Sequence, residues 1–390
     1  MPYTLNNVYI TSTGSYLPGP AINNEQMEDV LGLVNGQPSQ FKDSILRSNG
    51  IEHRHYALNH QNKPSHLNEE LAVNAIIAAL KRGGIQKEAL QMIAAGTTMP
   101  DILAPGFASM IQGRLGGNPL DILSCAGICG AGAAAMKAAS NTIRIGQHQK
   151  VVSVASERPS IFMRGCRFTQ ESQLAPTRKE VEEGFQYFNA DFLRWMLSDG
   201  AGAIIMENTP SKINLSLRLD WMETFSYANE LDTCMYLGTN QITNMQVHHS
   251  WLWEDSIAMA ESEGKLLLRQ DVRLLADNIV PITVHAAKTL KNRGMLNNEA
   301  IDHYLPHISS YFFMDKLYNS MKEQDIGIEK DKWFTNLKHK GNTGSASIYI
   351  MLDDALRQGL FKPNEKILLM IPESGRFSVS YAQLTAIAPQ

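Results

Sequence analysis

The sequence predicts an α/β fold, layered from helices and sheets and built as two similar halves. Short β-branched or alanine-rich runs alternate with amphipathic helical segments through residues 1–207, and the same style resumes after residue 208. A length of 390 residues with 44% hydrophobic content is enough to bury a large core, as two domains or one duplicated unit. No internal repeat shows by residue matching, so the duplication is one of style.

The elements follow in order. Val8 to Thr11 is a β-branched run leading to Gly14 and the loop signal Tyr16-Leu17-Pro18-Gly19. Glu69 to Arg82 is helical, with Leu71, Ala75, Ala78 and Ala79 at helical spacing and Gly83-Gly84 as its stop. Met92 to Gly96 is a buried strand, and Leu120 to Leu123 is a strand. Gly130 to Ile145 is an alanine-rich helix capped by Gly146, and Lys150 to Val154 is the next strand. Gly200 to Met206 is a glycine turn running into an apolar strand, and Asn208-Thr209-Pro210 marks the boundary between a 1–207 half and a 208–390 half. In the second half, Asp277 to Leu290 is amphipathic, with Pro281 placed in its first turn. Ile301 to Leu305 is a strand ending at Pro306, Ser345 to Leu356 a helix, and Lys366 to Ile371 a late strand. Gln170 to Phe188 and Met222 to His249 lack clear periodicity and read as loops covering a pocket.

Composition narrows the function classes. A net charge of -4, with Lys and Arg spread along the chain, gives no concentrated footprint for a nucleic-acid backbone. The longest apolar stretch, Ile122 to Met136, is rich in Ala and Gly and interrupted by Ser and Cys, which fits a strand and helix rather than a membrane span. The N-terminus lacks the basic start and apolar middle of a secretory signal, and four cysteines are few for a disulfide scaffold. A cytoplasmic location follows as the expectation.

Three residues carry candidate chemistry. Cys129 lies between an apolar strand and a helix beginning Gly130-Ala131-Gly132-Ala133, where backbone N–H groups and the helix dipole stabilise a thiolate. The plainer alternative is a small buried apolar residue. His307 follows Pro306 at a strand end, placed to polarise a carbonyl or exchange protons; a lone His is otherwise structural. Asn342 stands in Gly341-Asn342-Thr343-Gly344-Ser345-Ala346-Ser347, where small residues permit close backbone approach before a helix, or simply cap it.

In this order, Cys129, Pro306-His307 and the Gly341 to Ser347 string resemble the β-ketoacyl carrier-protein synthase III enzymes of the thiolase superfamily, over nearly the whole chain. Supporting strings are Asn49-Gly50-Ile51-Glu52-His53-Arg54-His55, Gly96-Thr97-Thr98, Ser198-Asp199-Gly200-Ala201-Gly202-Ala203 and Gly375-Arg376-Phe377. The resemblance implies a thiolase fold, five-layered αβαβα with two pseudo-duplicated halves, usually a homodimer, and a Cys-His-Asn triad with no cofactor. It implies a two-stage reaction. An acyl group passes from an acyl carrier protein or coenzyme A thioester to Cys129; His307 and Asn342 then hold a second thioester while its carbanion attacks the acyl-enzyme. The N–H groups of Cys129 and Gly375 would form the other oxyanion hole.

Cys125 competes as nucleophile, because Cys125-Ala126-Gly127-Ile128 is similar to the family's Cys-x-Gly-aromatic string. The helix length from Cys129 to Gly146 favours Cys129, leaving Cys125 as a buried thiol near the same pocket. The Cys-x-x-x-Cys spacing has no complementary Cys or His pair nearby, so no metal is expected.

Ile128-Cys129-Gly130, Ser156-Glu157-Arg158-Pro159-Ser160 and the run Phe188 to Asp199 resemble ketosynthase/cyclases that build dialkylresorcinol or stilbene precursors. Those relatives join a β-ketoacyl to an α,β-unsaturated acyl thioester and close a cyclohexanedione ring. Glu157 would then be a base or water-positioning group for cyclisation, or else a salt-bridge partner of Arg158 or another cation. Ser44-Ile45-Leu46 stands where initiating enzymes commonly carry a coenzyme-A-stacking Trp, which weakens a direct coenzyme A role. A carrier protein would need a cationic face, for which Lys316 and Lys322 are candidates, with Lys338 and Lys340 beside them. The alternatives are a simple synthase III without cyclisation, and a non-catalytic thiolase-fold partner subunit.

Overall fold

A computed structural model of the chain describes residues 5–168, 188–240, 242–243 and 246–390. The first five long strands are β1 (Tyr9–Tyr16), β2 (Met92–Thr97), β3 (Asp121–Ala126), β4 (Lys150–Glu157) and β5 (Gly200–Glu207). Four more follow: β6 (Ser216–Ser226), β7 (His303–Pro306), β8 (Lys366–Glu373) and β9 (Ser378–Ile387). They form one hydrogen-bonded sheet in the order β7-β8-β9-β6-β1-β5-β4-β2-β3.

The order contains the same path twice. From the middle outward the first group runs β1-β5-β4-β2-β3, with β2 parallel to β3 and β4 and the rest antiparallel. The second runs β6-β9-β8-β7, with β7 parallel to β8. The counterpart of β3 is reduced there to a single parallel bridge between Tyr304 and Trp333. The groups meet through two residue pairs, Tyr9 with Arg218 and Ile10 with Leu217.

Helices α1 (Asn68–Gly83), α2 (Phe107–Leu115), α3 (Gly130–Arg144), α4 (Val272–Asn292), α5 (Met314–Glu323) and α6 (Ser347–Arg357) complete the layers. Side chains on the strands alternate between the two faces, and the cores divide accordingly. Ile93, Ala95, Val152 and Val154 face an outer core with Leu71 and Ile76 of α1 and Phe107 and Ile111 of α2. Met92, Ala94, Val151 and Ala155 face the opposite way, into a central core with Met136 and Ile143 of α3, Ile348 and Leu352 of α6, and Leu369 and Leu384 of the second group. Leu368, Met370 and Tyr381 pack outward against Leu275, Ile282 and Leu290 of α4 and Leu317 of α5. The layering is therefore αβαβα, with α3 and α6 in the middle. Glycine at 132 makes that central contact possible: an added Cβ would lie 2.4 Å from the Ser345 carbonyl oxygen. Tyr349 Oη donates to the Gly132 carbonyl at 2.8 Å.

Three readings of the sequence are corrected. The fourth strand continues past Val154 to Glu157, so Glu157 lies on it. The α4 helix starts at Val272, because Asp271 caps it by accepting from the N–H groups of Arg273 (3.0 Å) and Leu274 (2.9 Å). Pro281 thus lies inside the helix rather than in its first turn. Met222 to Ser226 continues β6, and Met235–Tyr236 pairs with Arg269–Gln270. A register shift opposite Gln383 and Leu384 breaks the alternation of β6, which is why its period is hard to read. Residues 170–187 lie outside the described residues.

Candidate active site

The site gathers where several strands end. Glu157 is the last residue of β4, His307 follows β7, Ser374 follows β8, and Cys129 comes after β3 as the N-cap of α3. Cys129, Glu157, Asn342, Thr98, Ser309 and Ser374 line one narrow cavity of about 30 Å³. His307 lines the adjoining cavity, and Ser309 belongs to both. The cavity at Cys129 has room for one or two waters. A chain on the sulfur therefore displaces its wall, of which the unbranched side chains of Met99, Met196 and Met235 are the adaptable part.

Cys129 is buried. Its thiol is pushed well above the ordinary range, first by burial and then by the carboxylates of Glu373 and Glu157. Burial and the two carboxylates thus oppose the thiolate that a helix N-terminus favours. His307 is pushed down to about 4 by burial alone, so its ring is neutral near pH 7. Its backbone N–H donates to the Met370 carbonyl at 2.8 Å, fixing the residue beside β8.

Asn342 is held from both sides. Its N–H donates to the Met196 carbonyl (3.3 Å), and its carbonyl accepts from the Ser198 N–H (2.8 Å). Its Oδ1 accepts from the Gly344 N–H at 3.0 Å, which leaves Nδ2 as the donor offered to the cavity. Gly341 permits this loop, with φ of 71° and a Cβ position 2.7 Å from Ser198 Cβ.

Glu157 makes no salt bridge with Arg158, whose guanidinium instead reaches Asp101 and the His66 carbonyl. Four donors converge on Glu157 Oε1: Thr98 Oγ1 (2.8 Å), Thr98 N–H (3.0 Å), Ser345 Oγ (2.5 Å) and Ser345 N–H (3.4 Å). Burial nevertheless raises its carboxyl to about 7, the hydrogen bonds opposing it.

Gly375 lies in the turn after β8. Its N–H donates to Glu373 Oε1 at 2.5 Å, and it lines a different cavity from that of Cys129. Ser374, one residue earlier, lines the same cavity as Cys129. Cys125 lies half-buried on β3, paired with Gly96, and lines none of the cavities described among these residues. Lys316 sits over the exposed Phe312 ring at 3.9 Å, beside an apolar cavity of about 230 Å³ that shares Phe192 with the Cys129 cavity. Lys322 lies instead with Tyr318 and Glu329.

Residues 291–375 match the family model described as 3-Oxoacyl-[acyl-carrier-protein (ACP)] synthase III C terminal. Over the full length the chain has the thiolase fold. The 3-oxoacyl-[acyl-carrier-protein] synthase III from Aquifex aeolicus VF5 superposes with a TM-score of 0.69 at 18% identity, covering 97% of this chain and 99% of that one. AbyA1, a tetronic acid condensing enzyme, gives 0.73 at 18% identity over 97% and 99%. Xanthomonas campestris OleA, solved with bound lauric acid and lauroyl-CoA, gives 0.74 at 18% identity over 98% and 99%. Sequence reasoning missed Ser374, Glu373 and Met235, which no motif marks because strand ends and register bring them to the site.

Proposed function

We propose that the protein is a ketosynthase joining two acyl thioesters by Claisen condensation through an acyl-Cys129 intermediate, coupled to ring closure to a cyclohexanedione. The observation that carries this reading is the meeting of Cys129, Asn342 and Glu157 in one cavity, with a neutral His307 next to it. Cys129 Sγ attacks the donor thioester carbonyl, and its proton leaves with the departing thiol. The N–H groups of Cys129 and Ser374 receive the oxyanion, Ser374 replacing Gly375 in that role. His307 and Asn342 Nδ2 donate to the second thioester's oxygen, where enolate charge develops as the α-carbon loses carbon dioxide or, without decarboxylation, a proton; that carbon then attacks the acyl carbonyl and expels Cys129 as the thiolate.

Glu157 supports the ring-closing part, joining a β-ketoacyl to an α,β-unsaturated acyl chain. Its Oε1 is saturated by Thr98 and Ser345, while no donor is recorded on Oε2 among the described residues. A carboxyl poised near neutrality suits proton removal from an acidic carbon or a water. The same reading places the nucleophile in residues 1–207 and the His and Asn in 208–390. It brings the carrier arm in past Phe312, with Lys316 as the cation at that mouth, and pairs two copies through β3.

Intact-mass spectrometry with acyl-carrier and acyl-coenzyme-A thioesters tests the reading, followed by product analysis of paired substrates. A mass gain on Cys129 and a cyclohexanedione product are expected. A linear product alone would reduce the protein to a simple synthase, and no loading would make it a silent thiolase-fold partner.

A further inference from the structure

Beyond Ile128 the protein holds a cavity of about 540 Å³, far larger than the space at Cys129 and within the range of small-molecule sites. Thr98, Ile128 and Met235 line both spaces and so stand between them, and a chain carried on the sulfur would have to displace Ile128 and Met235 to enter the larger one. This cavity is open toward solvent and mostly apolar in its lining, with a group of hydroxyls on one side. Thr224 and Ser226 of β6 face it beside Ser378 and Ser380 of β9, and Thr224 and Ser380 share a 2.8 Å hydrogen bond.

Glu373 closes one end, 8% exposed. Its Oε1 is taken by the Gly375 N–H at 2.5 Å. Its Oε2 has only 3.4 Å contacts, with the Arg376 N–H and Ser378 Oγ, and so keeps acceptor capacity. The side chain packs on the start of α3, since a Cβ on Gly130 would lie 3.2 Å from Glu373 Cγ. A saturated alkyl chain filling this space would strip water from the carboxyl and the hydroxyls without replacing their hydrogen bonds. A chain bearing hydroxyl or keto oxygens would satisfy them.

We propose that this cavity is a subsite for an oxygen-bearing acyl chain, in which Glu373 and the Thr224–Ser380 pair are specificity-determining residues. The proposal rests on the acylation of Cys129 argued above. Hydroxyl or enol groups donate to Glu373 Oε2, and the serine and threonine hydroxyls donate to keto oxygens. Sites built to hydrogen-bond a substrate reject the analogue that lacks the group far more strongly than apolar pockets reject an added hydroxyl.

The experiment is a competition for Cys129 among 3-hydroxyacyl, 3-oxoacyl and saturated acyl-coenzyme-A thioesters of equal length, read as adduct ratios by intact mass. In the wild-type protein the oxygenated chains are expected to lead by about tenfold, the worth of one good hydrogen bond. Glu373→Gln, which keeps an acceptor for the Gly375 N–H, and Thr224→Val with Ser380→Ala, which leaves Glu373 untouched, should each bring the ratio toward one, the ratio being taken within each variant because removing the Glu373 charge also changes the rate at which Cys129 loads. An unchanged ratio in both variants, or a wild-type protein that loads saturated chains equally well, overturns the subsite. Absence of any Cys129 adduct in the wild type overturns the ketosynthase reading itself, a distinct result.

Discussion

At Glu157 the balance between burial and hydrogen bonding sets a pH dependence. Its carboxyl lies at about 7 in the folded protein against 4.5 for the free group. The native state therefore holds the proton more tightly between those values, and stability falls as pH rises through that window. Glu157→Gln should melt higher than the wild type by ~2 °C or more at about pH 8, and the difference should vanish near pH 5, as thermal scans would show. If Glu157 is the cyclisation base, ring closure in the wild type rises as pH climbs through about 7, and the variant loses that limb. His307 is neutral above about 4, so it contributes no protonation limb near neutrality. His307→Ala and Asn342→Ala should each leave Cys129 acylation in place and slow condensation by roughly 10²–10³-fold, the usual loss when one oxyanion donor is removed. Single-turnover mass measurements separate the two steps.

Among the elements, the loop from Gly341 to Ser347 governs the geometry most directly. It reaches Met196 and Ser198 through Asn342, Glu157 through Ser345, and α3 through the contact of Ser345 with Gly132. Gly341→Ala meets both the positive φ and the Ser198 and Arg54 side chains. We expect it to lose ~1–3 kcal/mol of stability and to slow condensation more than loading, because the strain is relieved by moving Asn342 away from its Met196 and Ser198 anchors. Chemical denaturation and the single-turnover assay provide the two readings; equal slowing of both steps would show that the displacement reaches Cys129 as well.

For the whole molecule, the open question is what covers β3. This strand ends the sheet and is exposed over most of its length, with Ile122 and Leu123 at 40% and 38% exposure. Ile102 and Leu103 of the preceding loop are exposed too. A long apolar edge is an aggregation hazard unless another strand pairs with it. In the proposed homodimer a second β3 fills that place. Leu123→Glu should convert the dimer to monomer in sedimentation velocity experiments, and a wild-type protein sedimenting as a monomer would remove the proposal. Among the described residues no helix is long and apolar enough to cross a membrane.

The alternation of strands and helices is legible in the sequence because glycine punctuation and apolar period are local signals, whereas the αβαβα class and the proposed Cys, His and Asn set rest on the resemblance that the short motifs carry. The sequence also placed Glu157 near the chemistry, although not on its strand. The packed fold alone shows that Ser374 shares the cavity of Cys129, that Arg158 turns to Asp101 instead of Glu157, and that burial and two acids push the Cys129 thiol upward. Each of these depends on which groups from distant strands come together out of water. Desolvation and partner choice are properties of the packed molecule, and no residue spacing encodes them.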